Sequence, residues 1–216
     1  MKFRYKLLVI ILALASVCAA QKVTIKHKVY TTVFSKSERI PLVVKWWLTK
    51  SMLDCPNPMS RTNDFKPDPK LPGFTDLAND YQESGYDRGH NCDAADNLCD
   101  TVAEHESFYY SNMCPQTARL NSGVWKLLED SCRALASNFD STLIWCGSVA
   151  TSGKTMGPDK VAVPDYCWKI VFVKRRRTTM AFVFPNTTTL SGPLSQYHVT
   201  LDSVKHLSGI RFARSR

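Results

Sequence analysis

Gly85-Tyr86-Asp87-Arg88-Gly89-His90 places an imidazole two residues beyond a guanidinium, with a glycine between them. Histidine titrates near neutral pH in its ordinary state, so it can take a proton from water. Arginine presents a planar fork of donors that matches a phosphate. His90 is therefore a candidate general base and Arg88 a candidate phosphate ligand. Further along, Ser111-Asn112-Met113-Cys114-Pro115-Gln116 is followed by Leu120-Asn121, then by Trp125, Glu129 and Arg133 at i, i+4 and i+8. If that stretch is helical, the last three share one face, with Asn121 at the entrance on nearly the same side. An amide oxygen, a carboxylate and a guanidinium on one stripe can bind a hard cation and an anion together. The plainer reading is a structural histidine beside a surface arginine, and a helix with a cap, an i,i+4 ion pair and a buried tryptophan.

These residues need elements to hold them. Val23, Ile25, Val29 and Val33, roughly at period two, predict opening strands. Residues 41–52 contain Val43, Val44, Trp46, Trp47 and Leu48 and predict a largely buried strand with both tryptophans in the core. Residues 55–85 are rich in Pro, Asp, Asn and Gly and predict a long irregular segment. Val124, Leu127, Leu128, Leu135 and Ala136 predict a helix over 123–138, with Asn121 or Ser122 as its cap. Strands are predicted at 143–149, 166–173, 180–184 and 197–201, then a short helix ending near Gly209. Lys174-Arg175-Arg176-Arg177 falls between two of these strands, as a solvated hairpin turn or a phosphate-tracking patch. Strands and helices do not alternate, so the expected class is α+β, with a mainly antiparallel sheet core and flanking helices.

Composition bounds the rest. With 216 residues, 44% hydrophobic and 11% aromatic, the chain can bury a substantial core and does not read as disordered. No internal repeat is visible, which disfavours solenoids and propellers. Lys2, Arg4 and Lys6, an apolar run over 7–17, and Ala19-Ala20 read as a signal peptide over 1–20, leaving 21–216 as a single exported domain, extracellular or periplasmic. Cys18 allows a rival reading as a lipoprotein anchor, although Val17 before it is bulky. The formal charge is +9, three of it in the leader, and the remainder suits polyanionic partners. Beyond the leader stand Cys55, Cys92, Cys99, Cys114, Cys132, Cys146 and Cys167. For an exported chain disulfides are the default, and an odd count leaves at least one thiol over. A zinc site from Cys92, Cys99 and His105 matches no standard spacing. Asn186-Thr187-Thr188 is a glycosylation sequon, while His27, His105, His198 and His206 read as structural or exposed.

The two chemical blocks, taken together, resemble the DNA/RNA non-specific endonucleases of the His-Me finger (ββα-metal) superfamily, a group that includes secreted bacterial nucleases and mitochondrial endonuclease G. The match runs through Asp87-Arg88-Gly89-His90, Phe108 to Asn112 with Pro115-Gln116, and Asn121 with Trp125 to Glu129. Arg61-Thr62-Asn63, a Tyr-x-Trp-Lys pattern at 166–169 and the closing 199–210 extend it to about residues 40–212. The resemblance implies an embedded ββα-metal motif and Mg²⁺-dependent cleavage of DNA and RNA to 5′-phosphate products, with Mn²⁺ able to substitute. It implies His90 as general base, Asn121 as the direct metal ligand and Glu129 as the acid that orients metal-bound water. Arg88, Arg133 and Arg61 become phosphate ligands, Asn112 a supporting residue, and Asp87 a loop-organising acceptor. The family often has an apolar residue and a proline soon after the histidine, where this chain has Asn91-Cys92-Asp93-Ala94. Disulfides at Cys92 and Cys114 would brace these loops. Two other readings stay open: a non-catalytic nucleic-acid-binding module on the same fold, and a hydrolase of small phosphodiesters.

Overall fold

The computed structural model describes residues 21–210. The signal-peptide reading of 1–20, and Cys18 with it, lies outside the described residues. Seven strands form one sheet in the order β1-β2-β3-β6-β9-β10-β11, with every neighbouring pair antiparallel. They are β1 (Lys22–Lys26), β2 (Tyr30–Ser35), β3 (Ile40–Thr49), β6 (Ser141–Val149), β9 (Tyr166–Val173), β10 (Thr178–Pro185) and β11 (His198–Val199). Between β3 and β6 the chain leaves the sheet and builds the rest of the machinery: α1 (Lys50–Leu53), α2 (Ala78–Tyr81), β4 (Asp87–His90), α3 (Thr101–Ser107), β5 (Met113–Gln116) and α4 (Lys126–Phe139). A two-stranded ribbon of β7 (Thr155–Met156) and β8 (Val161–Ala162) and a terminal α5 (Leu201–Ser208) complete the α+β architecture. Among the described residues no helix is long and apolar enough to cross a membrane.

Alternation along the strands divides the core into two layers. Val44, Trp46 and Leu48 of β3, Ile144 and Cys146 of β6, and Val171 of β9 join Leu128, Cys132 and Ala136 of α4 on one face. Trp168 and Ile170 of β9 and Ala181 of β10 meet Val204 of α5 on the other. Both faces of β9 are therefore covered, which is why its sequence reads as a nearly unbroken apolar run. Lys169 interrupts that run on the α4 side and is only 1% exposed.

Several expectations need correction. Trp46 is buried, but Trp47 is 40% exposed, because adjacent strand residues point to opposite faces; Lys174 Nζ lies 5.8 Å from its ring centre. The predicted strand at 197–201 shrinks to His198–Val199. The helix predicted from 123 starts at Lys126, after a π-type turn over Leu120–Trp125 in which Gly123 leaves helical geometry (φ −102°, ψ −117°). Leu127 is 55% exposed. Neither Asn121 nor Ser122 caps the helix. Of the cysteines among the described residues, Cys55 and Cys99 form a disulfide, and Cys92, Cys114, Cys132, Cys146 and Cys167 are free and buried. The expected bracing disulfides at Cys92 and Cys114 are thus replaced by apolar packing of the thiols in the core. Lys174 to Arg177 form the exposed turn between β9 and β10.

Candidate active site

The site begins at the β4–β5 ribbon, whose register sets Gly89 against Cys114 and His90 against Met113. A Cβ at Gly89 would stand 2.3 Å from Oε1 of the buried Gln116, so a side chain there would displace Gln116 from its place. The π-type turn and α4 follow β5, giving a β-β-α unit in chain order. Trp125 joins the two: its Nε1 donates to the His90 carbonyl at 3.1 Å.

His90 is 6% exposed, with its ring against the edge of Phe108 at 4.9 Å and tilted on Phe65 at 5.6 Å. The imidazole bonds the backbone of Arg88, while Nε2 has no hydrogen-bond partner. Burial, then the Arg61 guanidinium, push its pKa down to about 3. The ring is therefore neutral at physiological pH, with an unused acceptor at Nε2.

A cleft of ≈ 430 Å³ opens beside it, lined by Arg61, His90, Asp93, Ala95, Asn121, Ser122, Lys126, Glu129, Asp130 and Arg133. His90, Asn121, Glu129, Arg133 and Arg61 are thus brought together, and Arg88 and Asn112 are not. Nδ2 of Asn121 donates to Oδ2 of Asp87 at 3.0 Å. A carboxylate can only accept, so the amide nitrogen must face Asp87 and Oδ1 is left for another partner. Arg61 is exposed, with its guanidinium 5.0 Å over the Phe108 ring that also abuts His90. Arg88 packs over Phe65 (5.1 Å) and Tyr81 (5.6 Å) and donates to the Tyr110 hydroxyl at 3.2 Å. Asn112 is fully buried; its Oδ1 accepts from Cys92 N at 2.9 Å and its Nδ2 donates to the carbonyls of Cys92 and Ser107 at 2.8 and 2.7 Å.

Glu129 and Arg133 lie in a charged network the sequence did not announce. Arg133 is bound by Asp93, by Asp96 at 3.1 Å and by Asp130 at 2.5 Å. Burial opposes its charge, but Asp93 and Asp96 hold the guanidinium above its usual range. Its fork is therefore engaged with carboxylates rather than free for a phosphate. Asp96 also accepts from Trp46 Nε1 at 3.1 Å, tying the network to the sheet. Burial, then Asp93, push Glu129 up to about 8, while Lys169, 3.5 Å from its Oε1, pulls the other way. Asp93, Asp96 and Lys169 were missed as site residues. Asp93 stands where the sequence departs from the family pattern, and Lys169 closes the Tyr-x-Trp-Lys pattern.

Among the described residues no three His, Cys, Asp or Glu side chains converge on a metal position. The conceivable zinc site is removed by the disulfide at Cys99. The donors on the residues lining the cleft include hard oxygens, with Oδ1 of Asn121 and the carboxyl group of Glu129 foremost. That set fits a cation such as Mg²⁺, which keeps most of its water and takes few protein ligands. At Asn186, Nδ2 donates to the carbonyls of Pro115 and Pro164 and Oδ1 accepts from Thr117, so the sequon's amide is engaged in the fold.

A profile of the family described as DNA/RNA non-specific endonuclease matches residues 15–215. Among curated proteins, the chain is 36% identical over 166 residues to a mitochondrial nuclease EXOG of Xenopus laevis, covering 68% of this chain and 46% of that protein. It is 32% identical over 202 residues to mitochondrial nuclease 1 of Schizosaccharomyces pombe, covering 84% and 63%. The chain thus spans about half to two thirds of the length of these relatives. Among solved structures, an EndoG/EndoGI complex superposes with a TM-score of 0.80 at 26% identity, covering 88% of this chain and 84% of that one. The relatives' names overturn the expectation of an exported protein, since they point to the mitochondrion rather than the exterior. Of the expected disulfides one is present, Cys55–Cys99, and five buried thiols stay free. A profile spanning nearly the whole chain, relatives that share it, and a β-β-α unit carrying His90 and Asn121 lead to one assignment: the chain belongs to the DNA/RNA non-specific endonuclease family.

Proposed function

We propose that residues 21–216 form a single catalytic domain, a metal-dependent endonuclease that hydrolyses phosphodiester bonds in both DNA and RNA and leaves 5′-phosphates. The observation that carries this reading is a neutral imidazole that lines the same open cleft as the Asn121 amide, with its buried Nε2 left without a hydrogen-bond partner. His90 acts as the base: its other nitrogen is occupied at the backbone, so Nε2 receives the proton from the attacking water. A ring with so low a pKa is a weak base alone, but an arriving phosphate is anionic and raises it where the proton is to be accepted. Arg61, exposed at the cleft and lacking a carboxylate partner in any of the ion pairs described, meets the phosphate from the open side.

Asn121 Oδ1 would hold a Mg²⁺ ion, or Mn²⁺ in its place, and Glu129 would orient the water around it. Bound there, the cation would neutralise charge on the pentacoordinate phosphorus and on the leaving oxygen. Contacts of this kind reach phosphate and not base edges, which supports indifference to sequence and sugar. The test is incubation with supercoiled plasmid and with RNA, with Mg²⁺ and with excess EDTA. Cutting of both polymers that EDTA stops and Mg²⁺ or Mn²⁺ restores is the expected result. Tight binding without cutting would overturn the reading in favour of a binding module, and cleavage of a chromogenic diester with both polymers intact would favour a small-diester hydrolase.

A further inference from the structure

Lys169 is a lysine at the centre of a sheet, 1% exposed, and the proposed chemistry does not use it. Strand alternation sends it to the α4 face of β9, beneath the cleft. Its Nζ lies 3.5 Å from Oε1 of Glu129 and 4.1 Å from the centre of the Trp125 ring, with the Trp46 ring 6.0 Å away. Oε1 of Glu129 has no hydrogen-bond partner among the described residues, so the ammonium is the cation nearest to that oxygen in the ion pairs described. The other charged groups acting on Glu129 are Asp93, Asp96 and Arg133, and Arg133 is already shared among three carboxylates. A buried charge is tolerated where an opposite one compensates it, and a long side chain fixed by two indoles has little freedom to turn away. Trp125 also grips the His90 carbonyl, so Lys169 sits under both halves of the site.

We infer that Lys169 is a positioning residue that holds the Glu129 carboxylate from below, so that its other oxygen is presented to a hydrated divalent cation in the cleft. This rests on the proposed function. It predicts that removing the ammonium weakens cation binding through Glu129 alone. The test is Mn²⁺ binding by the full chain, measured by electron paramagnetic resonance of the free ion, in Lys169→Met, Lys169→Gln and Lys169→Arg, with and without Glu129→Gln. A cooperative thermal melt checks folding of each variant. Met keeps the length of the side chain without its charge; Gln keeps a donor without the charge; Arg keeps the charge.

The expected result is an Mn²⁺ dissociation constant raised about tenfold in the Met and Gln variants, the scale for groups that support a metal's ligands, and close to the parent's in Lys169→Arg. On the Glu129→Gln background, Lys169→Met should add little further weakening. Unchanged Mn²⁺ binding in the Met or Gln variant, or a full additional loss on the Glu129→Gln background, would overturn the inference. If Lys169→Met fails to fold, Gln against Arg decides by the same criteria. A parent that binds Mn²⁺ but cuts neither polymer overturns the nuclease reading and leaves the binding comparison to decide the role of Lys169. A parent that binds no Mn²⁺ overturns both.

Discussion

At the scale of single residues, the site depends on where each polar atom is spent. Nδ2 of Asn121 is spent on Asp87, and one imidazole nitrogen of His90 on the backbone of Arg88; Oδ1 and Nε2 are what remain. Replacing Asn121 with Ala should therefore move the Mg²⁺ titration of cleavage to higher concentration as well as lowering the rate, and an unchanged titration curve would remove Asn121 from the ligand role. The buried imidazole also makes a pH prediction. The unfolded chain takes up a proton on His90 near 6.5, whereas the folded chain resists until about 3. Its depressed value means that stability is lost as pH falls through that window, because the unfolded state binds the proton first. His90→Gln, which cannot be protonated, should show a shallower fall in melting temperature between these pH values in metal-free protein. Equal slopes would show that the ring is not held neutral. That His90, Asn121 and Glu129 would share one cleft was legible in the sequence through two blocks that together match a family pattern in order and spacing. Lys169 and Asp96 were not, since each reaches the site from an element whose packing no local pattern reveals.

At the scale of elements, the β4–β5 ribbon and α4 are held in relation by a few buried bonds. Asn112 links the turn before β5 to Cys92, just beyond His90, with two buried hydrogen bonds, and to the Ser107 carbonyl at the end of α3 with a third. Asn112→Ala leaves buried backbone groups unsatisfied and should cost about 1–3 kcal/mol per group so exposed, read from urea denaturation. A loss no larger than that of a surface substitution would show that the loops are held otherwise. The strands 143–149 and 166–173 were readable because burial on one or both faces writes a plain pattern. The helix start was not. Gly123 breaks the periodicity with a π-type turn, and the residues expected to cap α4 instead face the cleft. The non-helical backbone of Gly123 interrupts the regular hydrogen-bond ladder there, which accounts for the displacement.

At the scale of the whole molecule, the antiparallel sheet serves as a platform, and the chain between β3 and β6 carries nearly all of the candidate site. The disulfide Cys55–Cys99 closes a loop across 44 positions of that excursion, including Arg61 and His90. Its pairing was invisible in the sequence, where seven thiols allowed many partners and the assumed compartment favoured more bridges than one. The +9 formal charge favours approach to a polyanion. Cleavage of long duplex should fall steeply as salt rises, with a linear dependence of log kcat/KM on log salt, whereas a flat response would argue against binding through phosphates. The central claim is that the imidazole of His90 takes the proton in phosphodiester hydrolysis. Single-turnover cleavage of a labelled duplex by His90→Ala, with DNA affinity measured on the same samples, tests it most directly. The predicted result is a loss of at least about 10²-fold in rate with affinity largely kept; near-parental cleavage by that variant would contradict it.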